Sequence, residues 1–486
     1  MIRSGEEYLE SLRDGRQIYL GSERIDDVTT HPAFRNTARS FARLYARKRD
    51  ARFVDLATYE KDGERFSNYF LVPENQADLQ KRADAHRLIA QWSYGLLGRS
   101  MDHVPSFITG MVMKPELFAG NRPEFADNIV NYHNLIKARD LFVSYLVLTP
   151  QGSRNPELYK AAGRRNPAMQ IVSEDAEGVT VTGVKTLGTS TVFSDEAFIG
   201  SMIPLGPDQI DEAITFAIPV NTPGVQLWVR DSYEAKAANR TDNYFSSQFD
   251  ESDAVMVFDN VKIPWERIFV YRDVALMRNI YFETPGHIMG NHQSNWRFAE
   301  KMKLLTAVAH KAAELNGVIG IPAIQQTLGK LAAGEASLLG LLSGQIGSYE
   351  TLPNGKVHIN RRYLYAALQW CAQSYFEIAE KVREMLGAGP FQLPANASIL
   401  LEGPLRDTYL ENWYSPGSDA EERYKFVKMA WDLLGSDYAG RMTQYEKFYG
   451  GPPHIMDMYS YWNCPWPERR GTIDEIMADM EEGANG

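Results

Sequence analysis

RRYLYAALQWCAQSYFEIAEKVREMLGAGP, residues 361–390, predicts a long amphipathic helix in the C-terminal part of the chain. Its apolar side chains recur at alternating steps of four and three, which places them on one helix face. That face comprises Leu364, Leu368, Cys371, Tyr375, Ile378, Val382 and Met385. The glycines and proline at 387–390 end the helix. Leu331, Leu338 and Leu342 indicate another long helix, and helices with such faces pack as a bundle.

The sequence pattern is different upstream of this helical part. AEGVTVTGVKTLGTSTVF (176–193) alternates valine with threonine and glycine, and AITFAIPV (213–220) is short and branched, so both are typical of strands. FRNTARSFARLYA (34–46), in contrast, has helical spacing. We therefore predict an N-terminal helical domain over residues 1–143, a central β domain over 144–272, and a C-terminal helix bundle with a tail over 273–486.

Composition and charge narrow the class of protein. The 486 residues carry 62 acidic and 51 basic side chains, and the net charge of -11 disfavours nucleic acid as a partner. Cys371 and Cys464 have no metal-binding spacing, so we predict neither a disulfide framework nor a bound metal. The N-terminal segment lacks the apolar core of a signal peptide, and no apolar run is long enough for a membrane span. These features predict a cytoplasmic enzyme without a membrane partner.

Neither common glycine-rich nucleotide motif occurs between a strand and a helix. Three other polar stretches could form a catalytic or binding site. A helix predicted from Asn75 ends at Gly98, and GLLGRSMDHVPSF (95–107) supplies a permanent cation, Arg99, and an imidazole after that end. DLFVSYLVLTPQGSRNP (140–156) runs from a strand into clustered hydrogen-bonding groups. NHQSNWRFAEKMKLL (291–305) places His292 at a domain junction, where pockets tend to form. Each stretch also has a structural interpretation. Residues 95–107 could be an exposed loop, residues 140–156 a plain polar turn, and His292 a structural histidine.

Four blocks, in this order along the chain, resemble one protein family. They are GRSMDH (98–103), LTPQGSRNP (148–156), FDNVKIPWERIF (258–269) and WDLLGSDYAGRMTQYEKFYGGPP (431–453). Together they resemble the oxygenase component of the 4-hydroxyphenylacetate 3-hydroxylase family, whose relatives include chlorophenol and nitrophenol monooxygenases. The resemblance implies an α+β fold similar to acyl-CoA dehydrogenases, with an N-terminal helical domain, a central β barrel and a C-terminal helix bundle that assembles as a homotetramer.

The resemblance also implies a two-component monooxygenase. A separate NAD(P)H:flavin reductase would supply FADH2, which would add O2 at its C4a carbon to give a hydroperoxide. That species would hydroxylate a phenolic substrate, which reacts best as the phenolate. Because a phenol has a pKa of about 10, a base and a cation are expected at the site. His292 resembles the family's base and Arg99 its cation.

The resemblance assigns further residues to the site. His103 joins Arg99 and His292 as a catalytic residue. Substrate binding is assigned to Arg99, Ser100, His103, Tyr145 and His292. Flavin binding is assigned to Tyr145, Leu148, Thr149, Gln151, Asn155, Gly188, Ser190, Thr191, Ser436, Asp437, Tyr438 and Arg441. The last four would lie at the tail of FAD, in the same or a neighbouring subunit.

Two positions depart from the 4-hydroxyphenylacetate enzymes, in which Tyr is usual where this chain has His103 and His is usual where it has Tyr145. We therefore expect a substituted phenol or a biosynthetic aromatic rather than 4-hydroxyphenylacetate. Three alternatives share the fold. A 4-hydroxybutyryl-CoA dehydratase would need cysteine ligands for an iron–sulfur cluster, which two isolated cysteines do not supply. An acyl-CoA dehydrogenase would need a catalytic carboxylate, and a flavin-binding relative could lack activity altogether.

Overall fold

A computed structural model describes residues 2–415 and 418–484 of the chain. Helices come first, then two β-sheets, then more helices, which confirms the order predicted from the sequence. The N-terminal helices are α1 (Gly5–Ser11), α2 (Arg35–Lys48), α3 (Val54–Ala57), α4 (Gln76–Trp92), α5 (His103–Met111) and α6 (Glu124–Arg139). Four short strands lie among them: β1 (Ile18–Leu20), β2 (Glu23–Ile25), β3 (Thr58–Lys61) and β4 (Glu64–Ser67).

Helix α4 ends earlier than the sequence predicts. The Asn75 side chain caps its start by accepting a hydrogen bond from the Asp78 backbone N–H. The helix stops at Trp92, six residues before the predicted glycine end at Gly98, because Tyr94 and Gly95 take positive φ angles of 55° and 68°. The result is a loop that leads into α5 and carries Arg99.

The central domain consists of two sheets where the sequence suggested one barrel. Strands β2, β1, β10, β11, β7 and β6 form a six-stranded sheet, and β12, β9, β8 and β5 form a four-stranded one. Short helices α7 (Pro156–Ala161) and α8 (Tyr233–Lys236) lie in the connections. The strands are β5 (Val143–Leu146), β6 (Gln170–Glu174), β7 (Gly178–Thr189), β8 (Glu196–Ile199), β9 (Ile214–Pro219), β10 (Val225–Val229), β11 (Asp253–Pro264) and β12 (Ile268–Tyr271).

The N-terminal part contributes two strands to the six-stranded sheet. Strand β1 lies parallel to β10, with Ile18 opposite Leu227, and β2 pairs antiparallel with β1. The sheet therefore extends across the predicted boundary at residue 143. That boundary was set by a change in local periodicity, and a pairing between such distant residues leaves no local pattern.

The C-terminal part is the predicted helix bundle. Every residue of the predicted apolar face of α12 is buried, Cys371 included. The elements are α9 (Val274–Phe282), α10 (Gly286–Leu315), α11 (Pro322–Gly347), β13 (Glu350–Thr351), β14 (Val357–His358), α12 (Arg361–Leu386), α13 (Pro404–Asn412), α14 (Ala420–Leu434), α15 (Asp437–Phe448), α16 (Pro453–Trp462) and α17 (Trp466–Ala484). The predicted tail is helical as far as Ala484; residues 485 and 486 lie outside the described part.

Helix α10 connects the two helical parts of the molecule. It packs against α4 and α5 on one side and against α11 and α12 on the other. A Cβ atom at Gly290 would lie 1.9 Å from the Phe107 ring, so α10 and α5 approach to a distance that only glycine permits. Within the described residues, no helix combines the length and apolar character needed to cross a membrane.

Candidate active site

Two close helix contacts shape the loop between α4 and α5. A Cβ atom at Gly95 would lie 2.3 Å from the Arg297 carbonyl oxygen, and one at Gly98 would lie 2.4 Å from the Tyr445 hydroxyl. Larger residues at these positions would force the loop away from α10 and α15. The next residue, Arg99, donates its backbone N–H to Glu251 Oε1 at 2.7 Å. Its side chain is thereby directed inward from a fixed point of the main chain.

The Arg99 guanidinium contacts an imidazole and a phenol ring. Nη1 donates to His103 Nε2, four residues further along the chain, and Nη2 donates to the Tyr449 carbonyl oxygen at 2.9 Å. The Arg99 guanidinium carbon lies 3.9 Å from the Tyr449 ring centroid, and Arg297 lies 4.4 Å from the same centroid. Tyr449 therefore contacts two cations, and its O–H donates to the Gly98 carbonyl at 2.7 Å.

His103 is fixed as a neutral imidazole. Burial and the Arg99 charge lower the pKa of His103 well below its usual value, and more distant groups, Arg297, His86 and His287, act in the same direction. Because a guanidinium can only donate, Nε2 accepts and Nδ1 carries the proton. Nδ1 is buried and makes no hydrogen bond among the described residues. The site thus offers an N–H donor beside a permanent positive charge.

Tyr145 completes this group from strand β5. Its ring centroid lies 5.4 Å from that of His103 and 5.3 Å from the Arg99 guanidinium carbon. Phe107 stacks on Tyr145 at 5.7 Å. A cavity of about 50 Å³ opens beside them, lined by Arg99, Tyr145, Val147, Leu148, Thr186, Leu187 and Thr189. The structure therefore brings together Arg99, His103 and Tyr145, three of the residues predicted to bind substrate.

Ser100, also predicted to bind substrate, is directed elsewhere. Its hydroxyl donates to Asp102 Oδ1 at 2.5 Å, and Asp102 Oδ2 bonds to His86 Nδ1 at 2.7 Å. Gln293 Nε2 donates to the same Asp102 Oδ1 at 3.2 Å. This fully buried network holds the loop against α4 and α10.

The predicted flavin-side residues fall into two groups. Gly188, Ser190 and Thr191 form a turn at the end of β7, in which Ser190 takes a positive φ of 63°. The hydroxyls of Ser190 and Thr191 are buried without hydrogen-bond partners among the described residues. Leu148 lines the cavity and Thr149 is buried beside it. Gln151 and Asn155, in contrast, are exposed beyond the cavity rim.

These groups fit a polar aromatic ring such as that of a flavin. Unpartnered hydroxyls of the turn provide hydrogen-bonding atoms, and Leu148 with Tyr145 provides apolar contact. The cavity is smaller than a three-ring system. The segments around Leu148 and Leu187 would therefore have to separate for such a ring to enter.

The segment predicted to hold the tail of FAD forms hydrogen bonds and ion pairs with other residues of this chain. Ser436 caps α15, Asp437 is exposed, and Tyr438 is buried with its O–H donating to the Phe249 carbonyl at 3.4 Å. Arg441 binds Asp253 through Nε and Nη2 at 2.9 and 2.7 Å and Glu251 through Nη1 at 3.0 Å. Its guanidinium is therefore neutralised by two carboxylates, which does not favour the predicted role at the tail of FAD.

His292 does not lie with the Arg99 group. Its Nδ1 bonds to Gln345 Oε1 at 2.7 Å, and its Nε2 accepts from Trp296 Nε1 at 3.2 Å. Burial and neighbouring His86 lower the pKa of His292 to about 3. Both nitrogens are engaged inside the bundle, so these contacts do not support the predicted role as base. The nearby His287 bonds to the Tyr365 hydroxyl at 3.0 Å within an aromatic cluster.

Several site residues were not assigned from the sequence. Tyr445 and Tyr449 stand in the quoted C-terminal block, four residues apart, and that helical spacing was the signal available. Arg297 forms a buried ion pair with Glu446 at 2.6 Å behind Tyr449. Glu251 lies between two strands in a segment without a recognisable pattern, so no signal in the sequence pointed to it.

Comparison with known proteins places this arrangement in a family. The family model described as 4-hydroxyphenylacetate 3-hydroxylase N terminal matches residues 4–270, and the corresponding C-terminal model matches residues 277–478. The chain belongs to the 4-hydroxyphenylacetate 3-hydroxylase family. This confirms the family predicted from the four sequence blocks.

Relatives within this family carry several names. The chain is 32% identical over 491 residues to the 4-hydroxyphenylacetate 3-monooxygenase oxygenase component of Escherichia coli, covering 98% of this chain and 92% of that protein. It is 30% identical to the pyoverdin chromophore biosynthetic protein of Pseudomonas aeruginosa, covering 99% and 96%. It is 31% identical to the 4-nitrophenol 2-monooxygenase oxygenase component of a Rhodococcus species, covering 92% and 86%.

Solved structures agree with the family assignment. An oxygenase component of 4-hydroxyphenylacetate 3-monooxygenase, complexed with FAD and 4-hydroxyphenylacetate, superimposes with a TM-score of 0.92 at 26% identity and covers 99% of both chains. An archaeal 4-hydroxybutyryl-CoA dehydratase, at 18% identity and a TM-score of 0.83, shares the fold.

Proposed function

We propose that this chain is the oxygenase component of a two-component flavin-dependent monooxygenase that uses FADH2 and O2 to hydroxylate a phenolic substrate. The observation that carries the proposal is the contact among Arg99, His103 and Tyr145 beside the cavity, in a chain of this family. Relatives named as oxygenase components and a related structure containing FAD and a phenol support it.

Reduced flavin, when bound, activates O2 and supplies the oxygen atom that is transferred. The protein's own residues bind and orient the phenol. Arg99 provides a permanent positive charge for the phenolic oxygen, and His103 Nδ1–H provides a directed hydrogen bond. Tyr145 and Phe107 pack against the ring and exclude water.

We infer that the phenol binds as a preformed anion. His103 Nε2 accepts from Arg99, and both nitrogens of His292 are engaged elsewhere, so neither imidazole has a free acceptor for the phenolic proton. A donor and a cation select the phenolate over the neutral phenol. Phenols with electron-withdrawing substituents, which ionise more readily, are the substrate class that fits. The exchange of His and Tyr at positions 103 and 145 supports a substrate other than 4-hydroxyphenylacetate.

The reductase, the location and the assembly belong to the same proposal. A separate NAD(P)H:flavin reductase would supply FADH2, in keeping with the oxygenase-component names of the relatives. Two free cysteines, Cys371 and Cys464, fit a reducing compartment such as the cytoplasm.

A small-residue seam on α11 supports the predicted homotetramer. Its members recur at steps of four and three and are all exposed: Gly329, Ala333, Ala336, Gly340, Ser343 and Gly347. A Cβ atom at Gly329, Gly340 or Gly347 would meet nothing within 4 Å in this chain. Glycine weakens a helix interior by about 1 kcal/mol, and here the smallest side chains would allow the helix of a second copy to approach closely.

Turnover with chemically reduced flavin tests the proposal. FADH2 prepared without oxygen is mixed with the protein, a panel of nitro-, halo- and alkyl-phenols and then O2, and products are identified by mass. We expect incorporation of one oxygen atom into at least one phenol and loss of product in Arg99→Ala. The exposed Arg24→Ala serves as the control variant. Absence of any oxygenated product with the wild-type chain would overturn the assignment.

A further inference from the structure

Glu251 contacts two arginines, Arg99 and Arg441, that are far apart in the sequence. Its side chain is fully buried. Oε1 accepts the backbone N–H of Arg99 at 2.7 Å, and Oε2 accepts from Arg441 Nη1 at 3.0 Å. One carboxylate thus joins the substrate-side loop to helix α15 of the bundle.

The main chain beside Glu251 contacts the turn assigned to the flavin. The Ser190 N–H points to the carbonyl oxygens of Glu251 and Ser252, each at 3.0 Å. Ser252 takes a positive φ of 50°, which turns both carbonyls toward that N–H. The segment therefore contacts both the Arg99 loop and the Ser190 turn, on the two sides of the candidate site.

Charge pairing fixes Arg441 in this position. It binds Asp253 in a forked arrangement, and Arg230 binds Asp253 and Asp250 at 2.8 and 2.6 Å. Although burial opposes it, Asp253 and Glu251 hold the pKa of Arg441 well above its usual value. Removing one partner of such a buried pair leaves an uncompensated charge, which is costly. A phosphate group would have to compete with both carboxylates.

We propose that Glu251 and Arg441 are positioning residues that fix the main chain at Arg99 relative to the Ser190 turn. Arg441 orients Glu251, and Glu251 orients Arg99. What Arg99 does to the phenol rests on the proposed function. The positioning role itself assigns Arg441 to substrate placement rather than to the tail of FAD.

Two variants and one matched control separate these roles. Glu251→Gln keeps an oxygen for the Arg99 N–H but loses the charge that holds Arg441. Arg441→Gln removes the orienting cation. Arg267→Gln is the control, because Arg267 forms a comparable ion pair with the buried Glu196 and, among its described contacts, meets neither Glu251 nor Arg441.

Affinities for the two ligands are then compared. At saturating FADH2, we expect Glu251→Gln and Arg441→Gln to raise KM for the phenol by at least about tenfold, with more H2O2 released per FADH2. FADH2 affinity, from anaerobic titration, should change less than about threefold, because the flavin keeps its own contacts. Arg267→Gln should leave KM within about twofold of wild type, because its ion pair is separate from the Glu251 cluster. A selective loss of FADH2 affinity in Arg441→Gln, with KM for the phenol unchanged, would overturn the proposal.

Hydrogen exchange supplies a readout that does not require turnover. The Arg99 amide donates to Glu251, so we expect faster deuterium uptake in the peptide spanning residues 95–103 of Arg441→Gln, but not of Arg267→Gln. Unchanged uptake in Arg441→Gln would refute the positioning role. A wild-type chain that oxidises no phenol would refute the proposed function instead, and the exchange result would still decide on Glu251 and Arg441.

Discussion

The tautomer of His103 follows from its neighbour. Because Arg99 can only donate, the imidazole presents N–H rather than a lone pair at Nδ1. A site built in this way stabilises an anion and does not create one. The exchange of His and Tyr relative to the 4-hydroxyphenylacetate enzymes therefore has a chemical consequence for this chain.

Selection of the phenolate predicts how KM depends on pH. For each phenol, KM expressed as total phenol should fall by about tenfold for each unit by which pH rises towards the phenol's own pKa. Above that pKa, KM should stay constant. Steady-state rates with phenols of different acidity check this. The O-methyl ether of the best phenol cannot ionise and should not compete. A KM that does not vary with pH would show that the protein removes the proton itself.

The contacts of His292 predict a role in acid stability. Burial and His86 lower its pKa to about 3, whereas in the unfolded chain it is about 6.5. Between these values the unfolded state binds more protons, so the free energy of unfolding falls as pH decreases. His292→Gln should reduce this slope by up to about 1.4 kcal/mol per pH unit, measured by urea unfolding between pH 6 and about 4.5.

Turnover of the same variant tests the role assigned to His292 from the sequence. With structural contacts only, kcat of His292→Gln should stay within about threefold of wild type. The exposed His454→Gln is the matched control. A loss of about a hundredfold or more in kcat would instead support His292 as the base.

The sequence assigned Arg99 and His103 to one site, and the structure brings their side chains into contact, while their roles stay predictions. Arg99 lies in the loop before α5 and His103 is the first residue of that helix, so only four positions of chain separate the two side chains. His292 and Gln293 are neighbours on α10 and point in different directions, Gln293 to the Arg99 loop and His292 to Gln345. Position along a buried helix does not reveal which face meets which neighbour, since α10 is buried all around its first turns.

At the scale of elements, the crossing of α10 over α5 controls the site indirectly. Phe107 fills the space beside Gly290, stacks on Tyr145 and packs against His103 at a tilt, with ring centroids 5.1 Å apart. Any displacement of this ring would be passed to both substrate-side residues. The contact between these helices joins residues from two predicted domains and has no local pattern in the sequence.

Gly290→Ala tests this coupling. The new methyl group would overlap the Phe107 ring, so we expect a loss of about 1–3 kcal/mol in stability and a raised KM for the phenol. Thermal unfolding and steady-state kinetics measure the two effects. Gly471→Ala on α17, where a Cβ atom would meet nothing within 4 Å, is the matched control. Its stability and its KM for the phenol should both stay at the wild-type values. Wild-type stability in Gly290→Ala would contradict the close crossing.

At the scale of the whole molecule, the exposed seam on α11 predicts self-association. Ala333→Glu combined with Ala336→Glu would place two charges in a contact that only small residues fit. We expect the proposed tetramer to dissociate, measured as a fall in mass by light scattering, since an unpaired buried charge is costly. Asn131 is an exposed residue of α6, and Asn131→Glu, which adds a charge away from α11, should leave the mass unchanged. A double variant with wild-type mass would exclude this surface as the interface.

Helical parts of the molecule were predictable from local spacing, as the buried face of α12 shows. The central part was predictable only as strands. Which strands share a sheet depends on pairings such as β5 with β8 and β1 with β10, and these are set by long-range packing.

The parallel pairing of β1 with β10 has a consequence for how the protein is made. Residues 18–20 leave the ribosome early, but their partners at 227–229 are translated much later. Until then β1 lacks its partner strand in the nascent chain, and the six-stranded sheet cannot be completed before residue 264 has been translated. Deleting the first strands would permanently expose the edge of β10 that pairs with β1, and the truncated protein would be prone to aggregate.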